Sequence, residues 1–226
     1  MFHEFVKELN GKRVEGKLIK TIIVSLLTSA IFLGIIYYFT FKNIGGFLPK
    51  YGLSLFFIAL SYALIIPAVM QIRAYKELAC MSGMMVGMTL GMISSFLIGF
   101  YTASTNGMFF GGFLGVAVGM LFGIWNGKCC GVMGVMEGMM AAFMGGLMGA
   151  MTAFMLINDH LKIAFVLVLI ISAVIIFGLN YMIYKEAREI EGETRNDYFF
   201  TIVLTFILIS ITTWFIVFGP RGGIFA

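Results

Sequence analysis

The sequence predicts an all-α integral membrane protein of about seven transmembrane helices, with a tight central bundle rich in glycine and methionine. Of its 226 residues, 61% are hydrophobic and only 12% are charged, so too few polar residues remain to cover the surface of a soluble fold. Apolar runs near the roughly 20 residues that cross a bilayer core recur along the chain. The basic residues are concentrated in alternate connections between these runs.

Seven apolar runs are predicted to span the membrane. In order they cover residues 21–41, 53–72, 80–101, 108–125, 131–157, 163–184 and 199–218. Short polar breaks separate them, including 102–107 and 126–128. The predicted organisation is a cytoplasmic segment at 1–20, two flanking helices in 21–79, a core of three helices in 80–157, and two flanking helices with an external C-terminus in 158–226.

The basic residues orient the chain. If the N-terminus is cytoplasmic, eleven of the 15 Lys and Arg residues fall on that side: Lys7, Lys12, Arg13, Lys17, Lys20, Arg73, Lys76, Lys128, Lys185, Arg188 and Arg195. The other side holds Lys42, Lys50, Lys162 and Arg221. Cytoplasmic loops are enriched in Lys and Arg, so we expect a multi-pass cell-membrane protein with a cytoplasmic N-terminus and an external C-terminus.

Glycine distinguishes the third to fifth spans from the others. On the third and fourth spans it recurs every four residues, at Gly83, Gly87 and Gly91 and at Gly111, Gly115, Gly119 and Gly123. Small residues at this spacing let helix backbones approach closely in lipid. These seven glycines are therefore predicted to pack the central bundle.

Methionine is concentrated in the third and fifth spans. Thirteen of the 18 methionines lie in residues 81–92 and 133–155. At 100° per residue all of them except Met139 form one face on each helix, within roughly 100° on the third span and about 120° on the fifth. The candidate ligands on these faces are Met84, Met88, Met92, Met136, Met140, Met144 and Met148. The alternative is that methionine is a flexible apolar filler beside glycine.

Three other residues fall near the methionine face of the fifth span. Glu137 lies within the face, and a carboxylate at membrane depth is expensive and indicates function; the alternative is a protonated side chain in a packing hydrogen bond. Cys129 and Cys130 lie at the cytoplasmic start of the same span. In the reducing cytosol they are expected to be free thiols or metal ligands. The alternative is that they are inert small hydrophobic residues or lipid-attachment sites.

These residue types point to a soft metal ion. Thioether and thiolate ligands select Cu(I), and Ag(I) shares that chemistry. Zinc is disfavoured because the two histidines, His3 and His160, form no Cys/His quartet. No haem is expected, since neither histidine lies within a span. No nucleotide is expected either, since Leu18 replaces the Ser/Thr of a P-loop in the segment 11–18.

The pattern of Met-x-x-x-Met and Gly-x-x-x-Gly helices resembles Ctr-type copper transporters. Met84, Met88 and Met92, or Met136, Met140, Met144 and Met148, match the pore-lining helix of that family, and the fourth-span glycines match its packing helix. The resemblance implies Cu(I) passage. The chain departs from the family in having about seven spans instead of three. Residues 81–155 are also similar to the Met/Gly-rich membrane regions of prokaryotic cupredoxin-associated proteins.

The leading functional hypothesis is a membrane protein that binds or conducts Cu(I) or Ag(I), with the two methionine faces meeting each other or a symmetry mate. One alternative is a non-transporting subunit or scaffold assembled through glycine packing. Another is a cation-coupled carrier that uses Glu137. We expect no enzyme, because no nucleophile–base pair occurs at membrane depth. The expected partners are the lipid bilayer and further copies or other membrane subunits, with no nucleic acid.

Overall fold

The structure is a computed structural model that describes residues 14–36, 38, 47–74, 80–128, 131–157, 159–187 and 198–219. These residues form seven helices: α1 (Val14–Ile36), α2 (Phe47–Ala74), α3 (Cys80–Asn106), α4 (Met108–Gly127), α5 (Gly131–Met155), α6 (Leu161–Ala187) and α7 (Tyr198–Phe218). The six helices from α2 to α7 are long and apolar enough to cross a membrane, whereas the apolar part found in α1, Lys20–Ile35, is shorter. The predicted all-α membrane fold is confirmed.

The polar break predicted at residues 102–107 is wrong. Helix α3 continues through it to Asn106, because its hydroxyl groups bond to carbonyls one turn back in the same helix. Thr102 donates to the Ile98 carbonyl at 2.5 Å and Ser104 donates to the Tyr101 carbonyl at 2.7 Å. The reversal into α4 is made by Gly107 alone, at a φ of 101° that glycine adopts without a steric penalty.

Helix α3 joins the two parts of the molecule. On one side it contacts α2, α6 and α7, while α1 packs against α2 and α7. On the other side it packs along α4 and α5, which make their extensive contacts only with α3 and with each other. Aromatic side chains hold the first side together: the rings of Tyr101 and Phe165 are 5.1 Å apart, and the Tyr101 hydroxyl donates to the Phe165 carbonyl at 3.2 Å.

The bundle of α3, α4 and α5 is packed through backbone contacts. Four layers follow one another, each with one small residue from every helix: Gly87 with Gly127 and Gly134, Gly91 with Gly123 and Gly138, Ser95 with Gly119 and Ala142, and Gly99 with Gly115 and Gly146. A Cβ atom added at Gly91 would lie 2.8 Å from the Gly138 carbonyl oxygen, and one added at Gly99 would lie 2.7 Å from the Gly146 oxygen. The centre of this bundle is therefore filled by backbone, with no passage along its axis.

The order of the layers gives the helix directions. From layer to layer the residue numbers rise together in α3 and α5 and fall in α4, so α3 and α5 are parallel and α4 is antiparallel to both. The starts of α3 and α5 and the end of α4 consequently lie at one end of the bundle. The two other predicted packing glycines are also buried: Gly83 on α3 near that end, and Gly111 on α4 at the opposite end, against Ala103 of α3.

Candidate functional site

The α5 methionine row consists of Met136, Met140, Met144 and Met148. It lies on the side of α5 opposite the packing residues Gly134, Gly138, Ala142 and Gly146, because each methionine is two positions, or about 200° of helix rotation, from the nearest of them. Its four side chains are 55%, 65%, 61% and 54% exposed. The row therefore points away from α3 and α4, and more than half of each residue is left uncovered by the chain.

The α3 methionine row consists of Met84, Met88 and Met92, and it runs beside α5. A Cβ atom at Gly145 would lie 2.5 Å from the Met92 carbonyl oxygen, and one at Gly149 would meet the backbone of Phe96. We call this line of contact the α3–α5 seam. Met88 and Met92 are 48% and 40% exposed, so their side chains emerge from the seam onto the surface.

The two methionine rows form one continuous face. Gly91 lies against Gly138, and Met92 lies against Gly145, so a position on α3 is level with the α5 residue about fifty positions later. Met88 consequently lies at a height between Met136 and Met140, and Met92 lies between Met140 and Met144. Because glycine lets the two helices approach closely, both rows are brought together on the outside of the bundle. We call this surface the methionine face.

Glu137 lies on the seam edge of α5, in the same four-residue series as Ala141, Gly145 and Gly149. Continued toward the start of the helices, the register of the seam places it across from Met84 and Met88. Its side chain is half-buried, and within the described part of the chain no hydrogen bond or ion pair holds its carboxylate. Glu137 is six residues into α5, or roughly 9 Å along the helix axis from Gly131.

Of the three cysteines, the structure describes Cys80, at the end of the bundle where Glu137 is found. Cys80 is the first residue of α3, while Cys129 and Cys130 are outside the described residues. The connection that contains them joins the end of α4 to the start of α5. Among the described residues, no group of three or more His, Cys, Asp or Glu side chains is placed to hold a metal ion.

The other edge of α5 carries a different kind of surface. Between α4 and α5 lies an apolar groove of about 420 Å³, lined by Met108, Phe109, Gly112, Phe113, Val116, Phe143, Leu147 and Ala150. Its lining carries a single thioether and no charged side chain. The α3–α5 seam and this groove thus lie on opposite edges of α5, with the α5 methionine row between them.

Sequence reasoning missed a set of buried polar groups between the flanking helices. The Gln71 side-chain nitrogen donates to the Asn180 main-chain oxygen at 3.5 Å, linking α2 to α6. Thr201, Thr205 and Thr212 are also buried, on α7. Both Gln71 and Asn180 stand inside predicted spans, and uncharged polar residues at such depth were the signal that the flanking helices pack through more than Leu, Ile, Val and Phe.

Comparison with known proteins gives no relative for this chain: no protein-family model matches it, and neither a curated protein nor a solved structure is found to be similar. No family is assigned. The resemblance to Ctr-type copper transporters and to cupredoxin-associated membrane regions therefore rests on the methionine and glycine motifs alone.

Proposed function

We propose that this membrane protein binds Cu(I) or Ag(I) on the methionine face formed by α3 and α5. The observation that supports the proposal is the placement of two methionine rows on either side of one seam, with Met88, Met92 and all four methionines of the α5 row exposed. Thioethers select soft monovalent ions over the hard cations that are abundant in cells. A repeated row of similar weak sites also allows an ion to bind and to move on.

The packing of the bundle limits how an ion can pass. The small-residue layers bring the backbones of α3, α4 and α5 into contact, so an ion cannot travel through their centre. A row on the outside of the bundle would be shielded from lipid only by another protein surface. Conduction, in this proposal, takes place along the methionine face and between subunits, while binding needs only the side chains of one chain.

The proposal is tested by replacing Met136, Met140, Met144 and Met148 together by Leu. Methionine and leucine are close in volume, and such swaps usually cost less than about 1.5 kcal/mol each even in a core; the exposed row should therefore tolerate them. We expect the purified variant to keep its fold and to lose Ag(I) or Cu(I) binding, measured under reducing conditions by equilibrium dialysis with metal analysis.

Matched controls separate sulfur chemistry from apolar volume. Met108 is 41% exposed on α4, and Met70 and Met182 are partly buried against the core, so none of the three belongs to the methionine face. Their replacement by Leu should leave metal binding unchanged. Equal binding by the quadruple variant and the parent protein, or no binding by the parent, would contradict the proposal.

The backbone-packed layers favour a second candidate function, that of a non-transporting subunit or scaffold. In this case the methionine face serves as a flexible apolar contact for a partner, and sulfur is dispensable. The quadruple Leu variant would then bind no less metal than the parent and would keep its partner. Recovery of the same membrane complex from both proteins would support the scaffold.

A further inference from the structure

Two unpaired charges lie on opposite edges of α5. Glu137 is on the α3–α5 seam, as described above. Lys128 directly follows α4 and is exposed. The small-residue layers repeat every four residues of α4, and Lys128 falls in the same four-residue series as Gly112 and Val116. These two residues pack against Ala150 and Gly146 of α5, so Lys128 lies on the α4–α5 edge. Within the described residues, neither charge has an ion-pair partner.

The two charges lie at similar depth in the bundle. Gly127 packs against Gly134, and Gly123 packs against Gly138, so Lys128 is about level with Met133. Four residues of α5 then separate its level from that of Glu137, or roughly 6 Å along the axis. Because α5 itself stands between them, the two side chains cannot pair within one chain.

We propose that two copies of this chain form a dimer through the α5 methionine row. The two-fold axis is parallel to the membrane normal and passes beside Met140 and Met144. Such a rotation keeps both copies in the same orientation in the bilayer and turns the α4–α5 edge of one copy toward the α3–α5 edge of the other. Glu137 of each copy then lies on the same side of the dimer as Lys128 of its partner.

Charge complementarity identifies a second copy as the occupant of this face. A carboxylate at membrane depth is costly against lipid and normally pairs with another group. An interface with two-fold symmetry is self-complementary. An acid on one edge of the row and a base on the other therefore form two equivalent Glu–Lys pairs, one on each side of the axis. The dimer also brings two α5 methionine rows face to face around its axis. It does not depend on bound metal, so its test is independent of the proposed function.

Cysteine cross-linking in membranes tests the surface. In a variant with Cys80, Cys129 and Cys130 replaced by Ser, Met144→Cys should give a covalent dimer with a short bismaleimide. Leu121→Cys is the control, because Leu121 is 66% exposed on the outer side of α4 and lies away from the axis. The absence of a cross-link at Met144, whether or not Leu121 reacts, would overturn the proposal.

Charge exchange in the otherwise unaltered protein tests the pairing. Glu137→Lys alone or Lys128→Glu alone should raise the dimer dissociation constant in lipid vesicles roughly 3- to 30-fold, the range for polar contacts between membrane helices. The double exchange should restore most of the affinity, measured by energy transfer between labelled copies. Lys162→Glu, an exposed control at the start of α6 and outside the bundle, should have no effect.

Neutral variants keep the pairing testable if a charge reversal prevents folding. Glu137→Gln and Lys128→Gln should each weaken the dimer, and the double variant should be no weaker than either single variant, because each change breaks the same contact. If the losses of dimer affinity added up in the double neutral variant, the pairing would be overturned. The same holds if the double charge exchange gave a dimer as weak as that of the weaker single exchange.

Discussion

Replacing Gly123 by Ala introduces one methyl group where α4 meets α5. The new Cβ atom would lie 2.5 Å from the carbonyl oxygen of Gly138, 2.7 Å from its carbonyl carbon and 3.1 Å from its Cα. All three atoms belong to the backbone, so no side-chain rotation relieves the contact, and the two helices must separate by several tenths of an ångström.

The magnitude follows from two opposing terms. Overpacking a well-packed site costs typically 1–3 kcal/mol. The upper end of this range applies here, because the new methyl group contacts backbone atoms that cannot rotate away. Alanine recovers about 1 kcal/mol of helix propensity relative to glycine. We therefore expect Gly123→Ala to lower the free energy of unfolding by about 2 kcal/mol.

A Gly→Ala substitution at a glycine with open space around it serves as the control. A Cβ atom at Gly34 or Gly178 has no neighbour within 4 Å, so only the gain from propensity and a less flexible unfolded chain remains. Gly178→Ala should therefore raise stability by about 0.4–1 kcal/mol. Reversible unfolding in mixed micelles, followed by circular dichroism, measures both. If Gly123→Ala proved as stable as Gly178→Ala, the layered packing of α3, α4 and α5 would be refuted.

Three further predictions concern orientation, the α3–α4 turn and the intramembrane acid. A reporter fused after Ala226 should be external and one placed between α6 and α7 should be cytoplasmic; a cytoplasmic Ala226 would mean that one helix does not cross. Asn106→Ala should lower the free energy of unfolding by about 1–3 kcal/mol, since the buried amide donates to the Phe215 carbonyl at 2.9 Å; an unchanged denaturation midpoint would contradict this. Glu137→Gln should leave expression unchanged and impair Ag(I) uptake into vesicles, whereas parental uptake would remove Glu137 from any passage.

The sequence alone was sufficient for most of the helices. Length of apolar run and composition predict them because a bilayer accepts only segments whose backbone is satisfied internally. The predicted starts of α3, α4 and α5, at residues 80, 108 and 131, match the structure. The predicted end of α3, at residue 101, is wrong. Thr102, Ser104 and Thr105 are residue types typical of a polar turn, but here their hydroxyls donate to carbonyls of the same helix.

The sequence by itself also determined that α3 and α5 each carry a glycine face and a methionine face, since both follow from the 3.6-residue period. The glycine spacing also predicts that the glycine faces pack the bundle, but only the tertiary structure decided that the two methionine rows lie side by side on its outside. In lipid, methionine gains little from being buried, because the surrounding acyl chains are as apolar as its own side chain. Glycine gains more, because it allows backbone contact between helices. The glycines of α3, α4 and α5 therefore fill the bundle, and the methionine rows are left on its surface.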